Sequence, residues 1–287
     1  MKQLTRLFTL ALFLGTASVV LFSCQKMSRP KLGAYPPDTN PPGGPLKFYA
    51  SFDGTTADPL MNAVDSIRAN FPQRNDLTSV AGVSGRAVQG AVDKVIVYPS
   101  PNDLTSATSF SIAYWIKNTP QARTEFIFSL VDAKYGWHNS ACYLLIENQS
   151  ATKAVVKMGL MDQWLEFVGP NEYVKPIFDG NWHHMAFVYD QTTSKMKYYF
   201  DGAEYTGNGT STWPASLTDV RNGGAPRGAV DFSTVRQLVI GGWNKHASLA
   251  GPTDGWIGTF TGGIDQFRLY SSALTAAEVS ALFTGRK

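Results

Sequence analysis

The chain has 287 residues, of which 44% are apolar, 13% aromatic and only 16% charged, with a formal net charge of +3. Low charge together with abundant glycine and proline excludes a charged disordered chain, argues against a helical bundle and points to a β-rich globular body. No basic run or basic helix stands out, so nucleic acid is not an expected partner.

Lys2 and Arg6 open the chain, and the apolar stretch "LFTLALFLGTASVVLF" (7–22) follows. Its length is marginal for a membrane-spanning helix and suits an export signal. The stretch ends in "LFSC" (21–24), which resembles a bacterial lipobox. Ser23 is the small residue before the cysteine and Leu21 the aliphatic one three before it, while Phe22 is bulkier than usual. The resemblance implies a signal peptide over 1–23 and a lipid on the sulfur of Cys24. The protein is then an exported lipoprotein of the outer membrane or cell surface, with the periplasmic face as the alternative. A plain secretory signal with a coincidental cysteine is the rival reading. The only other cysteine is Cys142, so lipidation of Cys24 leaves no intrachain disulfide. Cys142 lies in "ACYLLI" (141–146) and reads as a small buried hydrophobe. Residues 24–45, rich in proline and glycine, read as an extended tether. The membrane is therefore met only through the N-terminal lipid.

Residues 46–287 read as one globular domain built mostly of strands. The apolar runs are 46–52, 91–99, 109–117, 124–131, 142–148, 153–160, 163–169, 182–190, 195–202, 235–243 and 262–270. Most are rich in β-branched and aromatic residues and bounded by Gly, Pro, Asn or Asp. "YDQTTSK" (189–195) joins two of them, so 182–202 reads as a hairpin. The stretch 203–235 reads as a long loop or pair of loops. One helix is predicted over 274–283: Thr275 stands at the N-cap with Glu278 three residues on, and Gly285 is expected to stop it.

The pieces "ASFDG", "GVSGRAV" (82–88), "SFSIAYWIK", "DGNWHHMAFVYD", "YYFDG", "VIGG" and "GGIDQFRLYSSALTAAEV" occur in that order. Together they resemble the laminin G-like, concanavalin A-like lectin/glucanase domains. The resemblance implies an all-β jelly-roll sandwich of two antiparallel sheets with a short C-terminal helix. It also implies a structural Ca²⁺ held by Asp53 of "FDG" and Asp265 of "GGID". On the plainer reading, Asp53 starts a turn and Asp265 accepts from nearby amides. The fold does not by itself fix a function, because it hosts binders and enzymes alike.

Enzymes on this scaffold use paired carboxylates, and none of the six glutamates has an aspartate two residues on. Glu147 and Glu166 lie on predicted strands, and sequence leaves open whether they meet. No catalytic residue is assigned. Sugar binding needs aromatic faces beside polar groups. Tyr135, Trp137 and His138 sit in a turn-like stretch, Trp213 in the long loop, and Trp243 and Trp256 flank another loop. Asp162, Trp164 and Glu166 alternate on one predicted strand and would share a face. The expected function is capture of a carbohydrate polymer without chemistry. A glycoside hydrolase or polysaccharide lyase with an atypical site, and a protein-binding adhesion or assembly module, are the alternatives. The adjacent His183 and His184 would point to opposite faces of a strand and so cannot share one ion.

Overall fold

The computed structural model describes residues 44–53, 72–165, 173–207, 215 and 218–286. The signal segment 1–23, Cys24, the tether up to residue 43, Glu166 and Trp213 lie outside the described residues. Contacts divide the chain into Met1–Pro41 and Pro42–Lys287, and everything described belongs to the second unit.

In chain order the strands are β1 (Leu46–Ala50), β2 (Arg74–Asn75), β3 (Thr78–Ala81), β4 (Arg86–Gln89), β5 (Ile96–Tyr98), β6 (Phe110–Lys117) and β7 (Thr124–Val131). Then follow β8 (Ser140–Glu147), β9 (Ala154–Leu160), β10 (Gln163–Leu165), β11 (Val174–Lys175), β12 (His183–Asp190), β13 (Lys195–Phe200) and β14 (Ala203–Tyr205). Last come β15 (Arg221–Asn222), β16 (Ala225–Pro226), β17 (Gln237–Ile240), β18 (Ile257–Thr259), β19 (Gly263–Tyr270) and helix α1 (Ala276–Gly285). The front sheet runs β14-β13-β12-β6-β19-β4-β3, with β1 also paired to β19. The back sheet runs β10-β9-β8-β7-β17-β5-β2, with β11 on β9 and β18 parallel to β7. Strands β15 and β16 form a separate small ribbon.

The two sheets enclose the core. Phe110, Ile112, Tyr114 and Ile116 of β6 and Met185, Phe187 and Tyr189 of β12 meet Cys142, Leu144 and Ile146 of β8 there. Their neighbours in sequence face the other way, as a pleated strand requires. On the front sheet those outward residues are also buried: Ala113, Ala186, Val188 and Tyr199 lie under Leu274 and Val279. Helix α1 thus explains why the front strands read as unbroken apolar runs rather than alternating ones.

The histidine pair follows the same pleat. His183 bonds Asp201 (2.9 Å) and Asp179 (3.0 Å) through its two ring nitrogens. His184 is fully buried on the opposite face, 5.2 Å from Trp115, with no hydrogen-bond partner on either nitrogen among the described residues. Cys142 is free and buried. The hairpin expected over 182–202 is β12 and β13, in register from Met185–Phe200 to Asp190–Lys195.

Several details differ from expectation. The helix runs through Gly285 and ends at Arg286, in the left-handed region (φ 45°). Gly285 is therefore the last helical residue rather than the stop. The hairpin of β3 and β4 and the parallel strand β18 are short and lack a long apolar run, and none was expected. The stretch 203–235 includes the β15–β16 ribbon.

Candidate functional site

The outward face of the back sheet carries a continuous aromatic array. On β8 Tyr143 and Leu145 point away from the core that Cys142 and Leu144 enter, and they join Phe126, Trp243 and Ile257 in a second cluster. Trp243 lies flat on Phe126 (centroids 4.4 Å, 11° between planes) and on Tyr143 (4.7 Å, 22°). Around this stack stand rings at steep angles, an arrangement that aromatic quadrupoles favour. Trp164 meets Tyr143 edge-on (5.4 Å, 86°), and Trp137 meets Trp243 edge-on (6.0 Å, 74°). Trp256 leans on Phe126 at 5.8 Å.

Backbone register sets this arrangement. Tyr143 pairs with Gly159, and Gly159 with Trp164. A Cβ on Gly159 would lie 2.2 Å from the Tyr143 ring. The glycine therefore lets the phenol ring lie across β9 toward Trp164. Trp243 is held from the other side by a buried polar knot. Its indole Nε1 donates to Ser140 Oγ (2.9 Å), and Ser129 Oγ donates to Asn244 Oδ1 (2.8 Å). Asn244 Nδ2 donates to the carbonyls of Asn139 (2.8 Å) and Ala250 (2.9 Å). These bonds fold the loop after β17 back onto the sheet.

The expected ligand-binding residues divide accordingly. Trp137 and Trp256 are 55% and 46% exposed, and Trp164 is half-buried. Trp243 is fully buried, so it is a support beneath the exposed indoles and not a surface for ligand. His138 is also buried, 5.4 Å from Tyr143, and burial holds its imidazole below the usual histidine range. Tyr135 belongs to the main core instead, with its hydroxyl donating to the Asp231 carbonyl (3.1 Å). Asp162 lies in the turn before β10, where strand alternation does not apply, and its carboxylate pairs with Arg227. The face shared by Asp162 and Trp164 was expected from that alternation and is not formed by it. Glu147, on the outward face, is bridged to Lys157. Sequence reasoning missed Tyr143 and Phe126. The alternation of "ACYLLI" about an inward Cys142 was the signal that places Tyr143 outside.

Asp53 and Asp265 converge on the β3–β4 loop. Asp53 Oδ1 accepts from Arg86 N (3.0 Å), and Asp265 Oδ2 accepts from Val83 N (2.8 Å). A Cβ on Gly82 would meet Asp265 Oδ2 at 2.5 Å, and one on Gly85 would meet Asp53 Oδ1 at 2.3 Å. Each aspartate neighbours a left-handed residue, Phe52 (φ 60°) and Gln266 (φ 49°), the latter in a bulge of β19. Such backbone persists where the surroundings fix it. Asp265 is fully buried, and its Oδ1 has no hydrogen-bond partner among the described residues. Burial, with the Asp53 charge adding to it, pushes its carboxyl up to about 7. An oxygen so placed fits a hard cation. No group of three His, Cys, Asp or Glu side chains suited to a metal exists among the described residues, so any remaining ligands would be backbone or water oxygens.

Comparison with known proteins gives the family and the fold. The family model of the concanavalin A-like lectin/glucanases superfamily (Laminin_G_3) matches residues 89–236. No curated protein matches. Domain 4 of AbnA, a GH43 extracellular arabinanase from Geobacillus stearothermophilus, in complex with arabinotriose, has a similar structure. It is 19% identical, with 83% of this chain and 98% of that one covered and a TM-score of 0.50. Trypanosoma rangeli sialidase in complex with sialic acid is 14% identical, with 85% and 33% covered and a TM-score of 0.51.

Proposed function

We infer, from the premise that the chain belongs to the concanavalin A-like lectin/glucanases superfamily, that it is a non-catalytic carbohydrate-binding module. One observation carries the reading: Trp137, Trp164 and Trp256 are accessible around a buried Trp243–Tyr143–Phe126 stack on the outward face of the back sheet. Indole faces held at fixed angles suit the C–H faces of sugar rings, and a rigid support keeps the ordering entropy of binding small. Two carboxylates on or beside this face, Glu147 and Asp162, are each bound by a cation, Lys157 and Arg227. That pairing favours binding over acid–base chemistry. Two proteins of similar fold are complexed with saccharides, arabinotriose and sialic acid, which is the ligand class proposed.

The proposal includes the sequence-based setting: export, lipid on Cys24, and a polymer-capturing head at the outer membrane or cell surface. It also includes a structural Ca²⁺ between Asp53 and Asp265, supported by the buried, unpartnered Oδ1 of Asp265. The ion would neutralise that carboxylate and tie β1 and β19 to the β3–β4 loop.

The test is a polysaccharide affinity screen of the full chain, with and without EDTA. At least one glycan is expected to bind, and Trp137→Ala, Trp164→Ala and Trp256→Ala should each weaken it about tenfold. Failure to bind any glycan rejects the lectin reading, and release of reducing sugar or unsaturated product favours an enzyme. Melting temperature should rise with Ca²⁺ and fall with EDTA, and Asp265→Asn should abolish the response. Identical melting in both buffers rejects the ion.

A further inference from the structure

We propose that the cleft beside Trp256 takes the carboxylate of an acidic glycan, with Arg123 as the anchoring cation. The inference rests on the glycan-binding reading and names its ligand class.

The cleft has a volume of about 460 Å³, and Asp93, Arg123, Lys245, Trp256 and Gly258 are among its lining residues. Its size is that of an ordinary small-molecule site. Trp256 forms an apolar wall and is continuous with the aromatic array through Phe126.

Arg123 stands in this cleft with its hydrogen-bonding capacity largely unused. Its side chain is 35% exposed, yet Nε is buried and has no partner among the described residues. Glu125 Oε1 is 4.0 Å from Nη2, too far for a hydrogen bond. That oxygen already accepts from Thr261 N (3.0 Å) and Thr261 Oγ1 (2.6 Å), and Glu125 Oε2 accepts from Asn118 Nδ2 (3.2 Å). Glu125 is therefore committed elsewhere. A guanidinium carries five donors in a planar fork that matches a carboxylate, and one whose nearest carboxylate stands at ion-pair range but beyond hydrogen-bond range keeps those donors for an anion.

The site is built around that side chain. A Cβ on Gly258 would lie 3.0 Å from Arg123 Cδ and 3.4 Å from Nε, so the glycine leaves the space in which the stem lies. Lys245 adds a second cation, and its ammonium donates to a neutral acceptor, the Asp254 carbonyl (2.7 Å). Asp93 is the one carboxylate among the described lining residues, so the lining cations Arg123 and Lys245 outnumber it, with Glu125 behind them at 4.0 Å from Nη2. A second hollow of about 310 Å³ shares Ala122, Arg123 and Thr124 with the first, and its Glu147 is neutralised by Lys157. The guanidinium thus stands where two hollows join. A hexuronate places a carboxylate on a pyranose ring. It can stack the ring on Trp256 and present the carboxylate to Arg123.

The experiment measures binding of the full chain to polygalacturonate, alginate and hyaluronate. The neutral controls are fully methyl-esterified polygalacturonate, linear arabinan and a β-glucan, each at low and high salt. At least one acidic polymer should bind about tenfold tighter than the neutral ones, with the margin shrinking at high salt. Arg123→Gln should remove that margin and leave neutral binding unchanged, whereas Trp256→Ala should weaken both classes. Near-UV circular dichroism checks that each variant keeps its fold. A preference for neutral polymers, or an Arg123→Gln variant that retains the margin, overturns the role of Arg123 and leaves the glycan-binding face standing. Binding to no polymer at all overturns both.

Discussion

His183 and His184 are neighbours with opposite electrostatics. Burial alone would depress the His183 imidazole, but its bonds to Asp201 and Asp179 outweigh that and raise it. The stability it contributes is full below the ordinary histidine value of about 6.5 and is lost as pH rises through the folded value. Burial, with the Arg268 charge adding to it, holds His184 down at about 3. An unfolded chain takes up that proton first, so the stability tied to a neutral His184 is present above about pH 6.5 and is lost as pH falls. Urea midpoints measured against pH should therefore decline on both sides. His183→Gln should flatten the alkaline limb and His184→Phe the acid one; an unchanged acid limb in His184→Phe would assign it to other groups. At the aromatic array the decisive residue is Gly159. Gly159→Val drives a side chain into the Tyr143 ring and should cost about 1–3 kcal/mol of stability. It should also weaken glycan binding, with altered near-UV circular dichroism as the direct sign that the stack has moved.

Among the elements, α1 has the plainest local code. Thr275 Oγ1 accepts from Glu278 N (3.2 Å), while the Glu278 carboxylate accepts from Thr275 N (2.7 Å). Thr275→Ala should lower stability by about 1 kcal/mol in denaturant titration. This cap was legible in the sequence because both partners lie within one helical turn. The long strands were legible too, since β6, β8 and β12 each carry a sustained run of apolar and β-branched residues. The short strands β4 and β18 were not, because pairing to the distant β19 and β7 creates them, and β3 exists only as the hairpin partner of β4. The site was legible in part for the same reason. Trp137 and Trp256 were visible as aromatics in polar loops, and both are exposed. The burial of Trp243 was hidden, because it depends on Asn244 reaching Ser129, 115 residues away. Arg123 gave no sign at all, as its unused donors follow from Glu125 being hydrogen-bonded by Thr261, 136 residues away, instead.

At the scale of the whole molecule, the domain is assembled from its two extremes. The first strand pairs with the last, from Leu46–Tyr270 to Ala50–Phe267, and Ser271 N donates to the Pro45 carbonyl (2.8 Å). Strand β19 is also central, since it pairs with β6 and β4 as well. A chain ending at residue 262 should therefore fail to fold, with loss of cooperative melting and of near-UV signal, whereas loss of an edge strand would be milder. The same placement has a consequence in time. A ribosome releases β19 after every other strand, so the front sheet lacks its middle while the rest of the domain is being made. Pairings between remote segments are slow to form in any case. Until residue 270 is free, the back sheet can have all its strands while the front sheet stays split between β6 and β4, so the sandwich cannot close.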